Sequence, residues 1–281
     1  AKQTYHLRLV FMDDVATLYI DDKKVDSWTL TGGVDQAGGL GFEKSRGAAD
    51  ITISNIKIKE YSAPKPPDTT PVEDTLKSKY MDVTIDQVFP RIVKYKVDDK
   101  VMNGQESPVY GLKVNGSLYY PKVSFEKLSD SEALYTLKVV DEMKNFDATF
   151  KVSLKVNDNK VIYSFDEIKN NGSAKIETVE FADMNVISVN SEQKGAKAKL
   201  TNISTDVRKS GDVDVSVDSS MGEIGTSTKN YTAFLSTDEL SAGVWSSSEV
   251  DGYKNLVANR YVNKKGAKAM GIGSSALYYQ R

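Results

Sequence analysis

Phe150-Lys151-Val152-Ser153-Leu154-Lys155-Val156, the turn Asn157-Asp158-Asn159, and Lys160-Val161-Ile162-Tyr163-Ser164-Phe165 form the most regular stretch of the chain. Phe, Val and Leu hold every even position from 150 to 156, and Lys or Ser every odd one. A period of two places the apolar side chains on one face of a strand and the polar ones on the other. The Asn/Asp-rich break between the runs is hairpin chemistry, because these residues tolerate the left-handed backbone of tight turns. The stretch therefore reads as an antiparallel strand pair with one dry and one wet face, the unit from which an all-β fold is built.

The same rhythm runs outward in both directions. Strand-like stretches cover Val83 to Val97, Val109 to Phe125, Ala133 to Val140, Lys175 to Phe181, Val213 to Val217, Tyr231 to Leu235 and Val257 to Val262. Turn signals fall at Asn115-Gly116, Asn171-Gly172 and Ser210-Gly211. Only Val72 to Lys79 and Ser191 to Leu200 have room for a helical turn. About two hundred residues of such β chain suggest a large sandwich.

Toward the N-terminus the rhythm is interrupted by Ala63-Pro64-Lys65-Pro66-Pro67-Asp68-Thr69-Thr70-Pro71, which holds four of the seven prolines. Such a run neither helixes nor pairs as a central strand, so residues 63–74 are read as an extended linker between domains. Before it, Thr4 to Met12, Val15 to Ile20 and Val25 to Leu30 alternate around the Asp13-Asp14 and Asp21-Asp22 turns, and Ile51 to Ile58 follows a Gly-rich passage. Sixty-two residues do not close a two-sheet sandwich, so this part is expected to need a covering layer.

Charge and composition narrow the function. The 281 residues carry 37 Lys and Arg against 39 Asp and Glu, a net charge of −2, and no basic face suited to nucleic acid or an anionic membrane is expected. There is no Cys and a single His, His6. Disulfides and thiolate metal sites are thereby excluded within these residues, and a two-His zinc site and a Ser/His/Asp triad nearly so. His6 itself alternates with apolar neighbours, as an exposed strand residue does. Asp212, Asp214 and Asp218 alternate with Val as the wet face of a strand, not as a calcium loop. Gly38-Gly39-Leu40-Gly41-Phe42 lacks the Lys-Ser/Thr ending of a phosphate loop. No catalytic residue, metal site or cofactor is assigned.

Aromatic residues remain. The chain has 15 Tyr, 9 Phe and 2 Trp. An aromatic face bordered by small hydroxyl residues suits a sugar ring, whose C–H face packs on the aromatic ring while polar neighbours bind its hydroxyls. Trp245, in Ala242-Gly243-Val244-Trp245-Ser246-Ser247-Ser248, together with Tyr253 and Trp28, makes the set of carbohydrate-contact candidates. Both Trp side chains read first as sandwich core, Trp28 more firmly than Trp245, whose Ser-rich flank looks like an exposed loop.

These residues also carry a resemblance. Thr4-Tyr5-His6-Leu7-Arg8-Leu9-Val10, Ala16 to Val25, Gly39-Leu40-Gly41-Phe42 and Asp50 to Ile58 resemble the last strands of a concanavalin A-like (laminin-G-like) sandwich. Residues 75–281, with Leu240 to Val250 the most telling segment, resemble the galactose mutarotase-like domain of bacterial endo-α-N-acetylgalactosaminidases, glycoside hydrolase family 101. The resemblance implies an all-β chain: a partial concanavalin A-like β-sandwich over 1–62, then a galactose mutarotase-like β super-sandwich over 75–281. It further implies a secreted or wall-attached Gram-positive enzyme that releases Gal-β-1,3-GalNAc from Ser or Thr of mucin-type glycoproteins. In that family a catalytic barrel follows the super-sandwich. No alternating strand and helix pattern occurs here, so the chain is expected to be a non-catalytic fragment whose partners are glycoprotein carbohydrate and the barrel of its own parent. Aldose epimerases share the super-sandwich but use His and Glu, and no His follows the linker. A stand-alone carbohydrate-binding or adhesin module is the alternative reading.

Overall fold

The computed structural model describes residues 3–12, 15–21, 23–29, 41–43, 52–58, 65–141, 146–182, 184–202, 211–222, 225–230, 232–245 and 256–277. The regular elements among them are all β-strands. Two compact units divide the chain, Ala1–Ala63 and Pro64–Arg281.

In the first unit, Leu7–Met12, Val15–Ile20 and Lys23–Thr29 form an antiparallel sheet in chain order. Leu7, Leu9 and Phe11 lie opposite Ile20, Leu18 and Ala16, and Ala16 lies opposite Trp28. Directly opposed residues share a face, so this side is apolar over the first two strands and at Trp28, while the third strand also brings Asp26 and Lys23 opposite Leu18 and Ile20. Leu7, Leu9 and Phe11 are nevertheless 63%, 45% and 56% exposed, and Trp28, read from the sequence as core, is 44% exposed. The strand expected over Ile51 to Ile58 is not formed across the described residues 52–58. Asn55 there has φ 57°, a left-handed conformation that interrupts the alternation needed for pairing. An open apolar face of this kind favours self-association. Residues 1–62 expressed alone are accordingly expected to be insoluble or self-associated by light scattering. A monomeric fragment that melts sharply would refute that expectation.

In the second unit the end of the Pro-rich stretch is tied to the sandwich. The Tyr110 hydroxyl donates to the Thr69 carbonyl at 3.1 Å, and Gln87 N–H to the Val72 carbonyl at 2.7 Å. The helical turn allowed over Val72 to Lys79 is a strand, Glu73–Lys77, whose five residues pair with Asp82–Asp86 and bury Leu76. Backbone pairing available from a neighbour outweighs the weak preference of so short a segment. Ser191 to Leu200 likewise holds turns and then the start of strand Lys197–Asn202.

The reading of the opening stretch holds. Strands Phe146–Asn157 and Lys160–Asn170 pair with Asn157 opposite Lys160, so the loop is the two residues Asp158 and Asn159, with Asp158 at φ 52°. Phe146, Ala148, Phe150, Val152, Leu154 and Val156 all face the core. A bulge opposite Lys151 and Val152 shifts the phase of the second strand, which lets Phe165 and Ile168 both reach the core despite their odd spacing. With Lys122–Ser129 and Glu132–Asp141 these strands make a four-stranded meander.

The meander covers one part of an eleven-stranded sheet. Its main path runs Glu73–Lys77, Asp82–Asp86, Arg91–Val97, Lys100–Asn103, Ile187–Asn190, Lys268–Leu277, Thr178–Phe181, Leu112–Val114, Ser117–Tyr119. Leu256–Val262 also pairs with Lys268–Leu277 and carries Gly225–Asn230 beyond it. Another part of the large sheet is covered by a second four-stranded sheet, in the order Gly211–Ser216, Lys197–Asn202, Thr232–Ser236, Ser241–Trp245. Two apolar cores result. One joins Val83, Ile85, Phe89 and Phe181 to the meander; the other joins Val189, Leu256, Met270 and Ile272 to Ala198, Leu200, Ala233 and Leu235. One sheet serving two layers is a super-sandwich.

Candidate functional site

Alternation on the large sheet sends Met102, Ile187, Val189, Leu256, Ala258, Met270 and Ile272 into the second core. Residues between them point to the opposite face. In register across five strands these are Lys94, Asn103, Ser188, Gly271 and Asn259, a cross-strand row without one apolar side chain.

Next to this row the segment Met184-Asn185 crosses directly over strand Lys268–Leu277. A Cβ on Gly271 would fall 2.3 Å from Asn185 Cγ, and one on Gly273 2.5 Å from the Met184 carbonyl oxygen, so both positions require glycine. Asn185 is thereby held among amides. Its backbone N–H and its Nδ2 donate to Gln105 Oε1 at 2.9 and 3.1 Å, and Asn259 Nδ2 donates to Asn185 Oδ1 at 2.9 Å.

Gln105 is fixed in turn by a buried ion pair. Arg91 donates to Asp86 Oδ2 through Nε at 3.1 Å and Nη2 at 2.7 Å, while its Nη1 donates to the Gln105 carbonyl at 2.9 Å. The other carboxylate oxygen of Asp86 accepts from the N–H groups of Val72 and Val88. Both charges are thus paired and fully hydrogen-bonded, the condition for keeping ions in an interior. One chain of polar contacts runs from Asp86 through Arg91, Gln105 and Asn185 to Asn259.

At the rim of this face, burial pushes the Tyr261 phenol up, the hydrogen-bonded Ser188 hydroxyl lowers it, and the nearby Glu106 carboxylate raises it further. Ser188 Oγ donates to the Gly104 carbonyl at 2.7 Å, and Asn103 Nδ2 to Glu106 Oε1 at 3.3 Å. Gln105, Asn185 and Ser188 are buried, so the side chains this face offers to solvent are the half-buried Asn103, Asn259 and Tyr261 together with the exposed Lys94 and Glu106. Amides, a phenol and one charge of each sign can meet a hydroxyl-bearing ligand through directional hydrogen bonds.

None of these residues was singled out in the sequence. The available signal was Gly271-Ile272-Gly273 inside a strand, since glycine in a strand interior marks a close approach. Of the three aromatic candidates, only Trp245 lies among the described residues of the second unit. Trp28 belongs to the first unit, and Tyr253 lies outside the described residues. Trp245 ends strand Ser241–Trp245, 63% exposed on the outer side of the second four-stranded sheet, where the sequence read it first as core beside a loop-like flank. Among the described residues, no cluster of three or more His, Asp or Glu is placed to hold a metal ion.

Comparison with known proteins follows the second unit. A protein of Renibacterium salmoninarum, provisionally named endo-alpha-N-acetylgalactosaminidase, is 21% identical over 202 residues, covering 70% of this chain and 13% of its own length. The chain thus spans a small part of that relative. A galactose mutarotase related enzyme of Lactobacillus acidophilus aligns over 73% of this chain and 85% of its own at 12% identity, with a TM-score of 0.44. A GH36 alpha-galactosidase of Geobacillus stearothermophilus aligns over 74% of this chain and 38% of its own at 10% identity, with a TM-score of 0.37. Residues 76–281 match the galactose mutarotase-like fold domain, and the chain belongs to that family.

Proposed function

We propose that this chain is a non-catalytic region of a secreted or wall-attached bacterial glycoside hydrolase resembling endo-α-N-acetylgalactosaminidase. In this reading it supports the catalytic barrel of its parent, contacts carbohydrate of mucin-type O-glycoproteins, and uses residues 1–62 as the last strands of a concanavalin A-like sandwich. The parent would release Gal-β-1,3-GalNAc from Ser or Thr. A stand-alone carbohydrate-binding or adhesin module of a bacterial surface protein is the second reading, favoured by the exposed Trp245.

The observation that carries the first reading is the chemistry of the large-sheet face within a family-matched unit. Epimerisation and glycoside hydrolysis need a paired acid and base tuned near the working pH. Here the groups beside Glu106 are amides and a phenol that holds its proton more tightly than free Tyr. Such a face binds and orients; it does not shuttle protons.

Purified residues 1–281 are therefore expected neither to hydrolyse aryl disaccharides nor to interconvert galactose anomers faster than buffer, measured by chromophore release and polarimetry. A protein-dependent rate that survives repurification would overturn the non-catalytic reading. The length of the parent reading frame separates the two proposals: a barrel-encoding extension supports the first, a wall-anchor repeat array the second.

A further inference from the structure

We propose that the outer face of the second four-stranded sheet is a platform for a neutral hexopyranose ring, which stacks on Trp245 and Phe234. The proposal takes its ligand class from the carbohydrate reading above but concerns a different surface.

The platform follows from register. Ala198, Leu200, Ala233, Leu235, Ala242 and Val244 point into the core, so their neighbours point out. On the outer side Phe234 lies opposite Gly243 and between Gly243 and Lys199, while Trp245 lies opposite Thr232. Trp245 and Phe234 are diagonal neighbours on one face, a separation of about 7–8 Å that large side chains span. They are 63% and 51% exposed.

Gly243 decides the shape. A Cβ there would lie 2.8 Å from Phe234 Cε1 and 3.1 Å from Cδ1. With no side chain on Gly243, the Phe234 ring packs over the neighbouring strand at this point and is still half exposed to solvent. A flat aromatic surface offers a sugar the contact its C–H face needs.

The surroundings select the ligand. Thr232, Ser236 and Ser241 supply hydroxyls on the same face, and the exposed charges named there, Lys197 and Lys199 against Asp214, leave a net of only +1. A face without strong net charge complements an uncharged ligand better than a polyanion. The meander shows what an ordinary wet face of this molecule looks like. There Lys151 and Lys169 hold the Glu167 carboxyl down to about 2, Lys155 meets Glu132, and the outward positions carry no exposed Trp or Phe. Two large rings left open on a sheet face are apolar area that a bound pyranose would cover.

Saturation-transfer NMR on the full 281-residue chain, with methyl β-D-galactopyranoside as the probe, tests this. Transfer to the C–H protons of the sugar ring is expected, with Trp245→Ala weakening binding about tenfold or more, about 1.4 kcal/mol. Trp245→Phe keeps most of the signal, and Tyr80→Ala, which removes an exposed ring elsewhere, leaves it unchanged. Melting temperatures of all variants check folding, since Trp245 lies outside both cores. Signal unchanged in Trp245→Ala, or no transfer from the wild-type protein, overturns the proposal. Signal lost in Asn259→Ala but kept in Trp245→Ala also overturns it, by placing the sugar on the large-sheet face, and leaves the carbohydrate reading of the chain standing.

Discussion

Arg91→Ala is expected to lower the unfolding free energy by about 3–5 kcal/mol, because it strands the Asp86 carboxylate in the interior without its counter-charge. The pair is almost wholly shielded, with side chains 3% and 0% exposed. Loss of the guanidinium also frees the backbone carbonyl of Gln105, the residue whose side-chain Oε1 positions Asn185 and, through it, Asn259. Denaturant titration measures the stability, and side-chain amide signals of Asn185 and Asn259 report the second effect. The exposed pair of Lys127 with Asp74 at 2.9 Å is the comparison, and Lys127→Ala is expected to cost no more than about 1 kcal/mol. Replacing both partners, Asp86→Leu with Arg91→Met, should recover only part of the loss, since Asp86 also receives the Val72 and Val88 N–H groups. Equal losses from Arg91→Ala and Lys127→Ala would show that the buried carboxylate finds another partner.

Leu154→Ala is expected to cost about 2–5 kcal/mol, the range for emptying a leucine site that cannot collapse. Leu154 is fully buried between Ala133 and Tyr163 on the adjacent strands, both held in the same core. Its neighbour Lys155 points outward to Glu132, and Lys155→Ala should change stability by less than about 0.5 kcal/mol. The contrast depends on strand phase alone. Equal effects in a denaturant titration would mean that the register is shifted by one residue.

The all-β architecture was legible because alternation is a local property. Phe150 to Val156 declares its buried face without reference to any partner. Pairing is not local, which is why Ile51 to Ile58 misled: alternation there marks two faces but supplies no neighbouring strand, and Asn55 breaks it. The polar face was hidden for a related reason. Gln105, Asn185 and Asn259 lie far apart in sequence and meet only because three strands are brought together, and nothing in their local neighbourhoods distinguishes them from surface amides. The aromatic platform was half visible. Trp245 stood out by its small neighbours, but Phe234 becomes its companion only through the register that sets it over Gly243.

Strand Lys268–Leu277 is bonded to Ile187–Asn190, Leu256–Val262 and Thr178–Phe181, so the centre of the largest sheet is filled by a strand later in sequence than any of its partners. During translation the meander, whose four strands are consecutive, can assemble soon after leaving the ribosome. Ile187–Asn190 must wait for a partner roughly 80 residues further on, several seconds at about 5–20 residues per second. Through that interval Ile187 and Val189 lack the Met270 and Ile272 beside which they are finally buried. Until Lys268–Leu277 has been made, this part of the nascent chain is exposed to chaperones and to aggregation, and the large sheet is completed only by insertion of that strand.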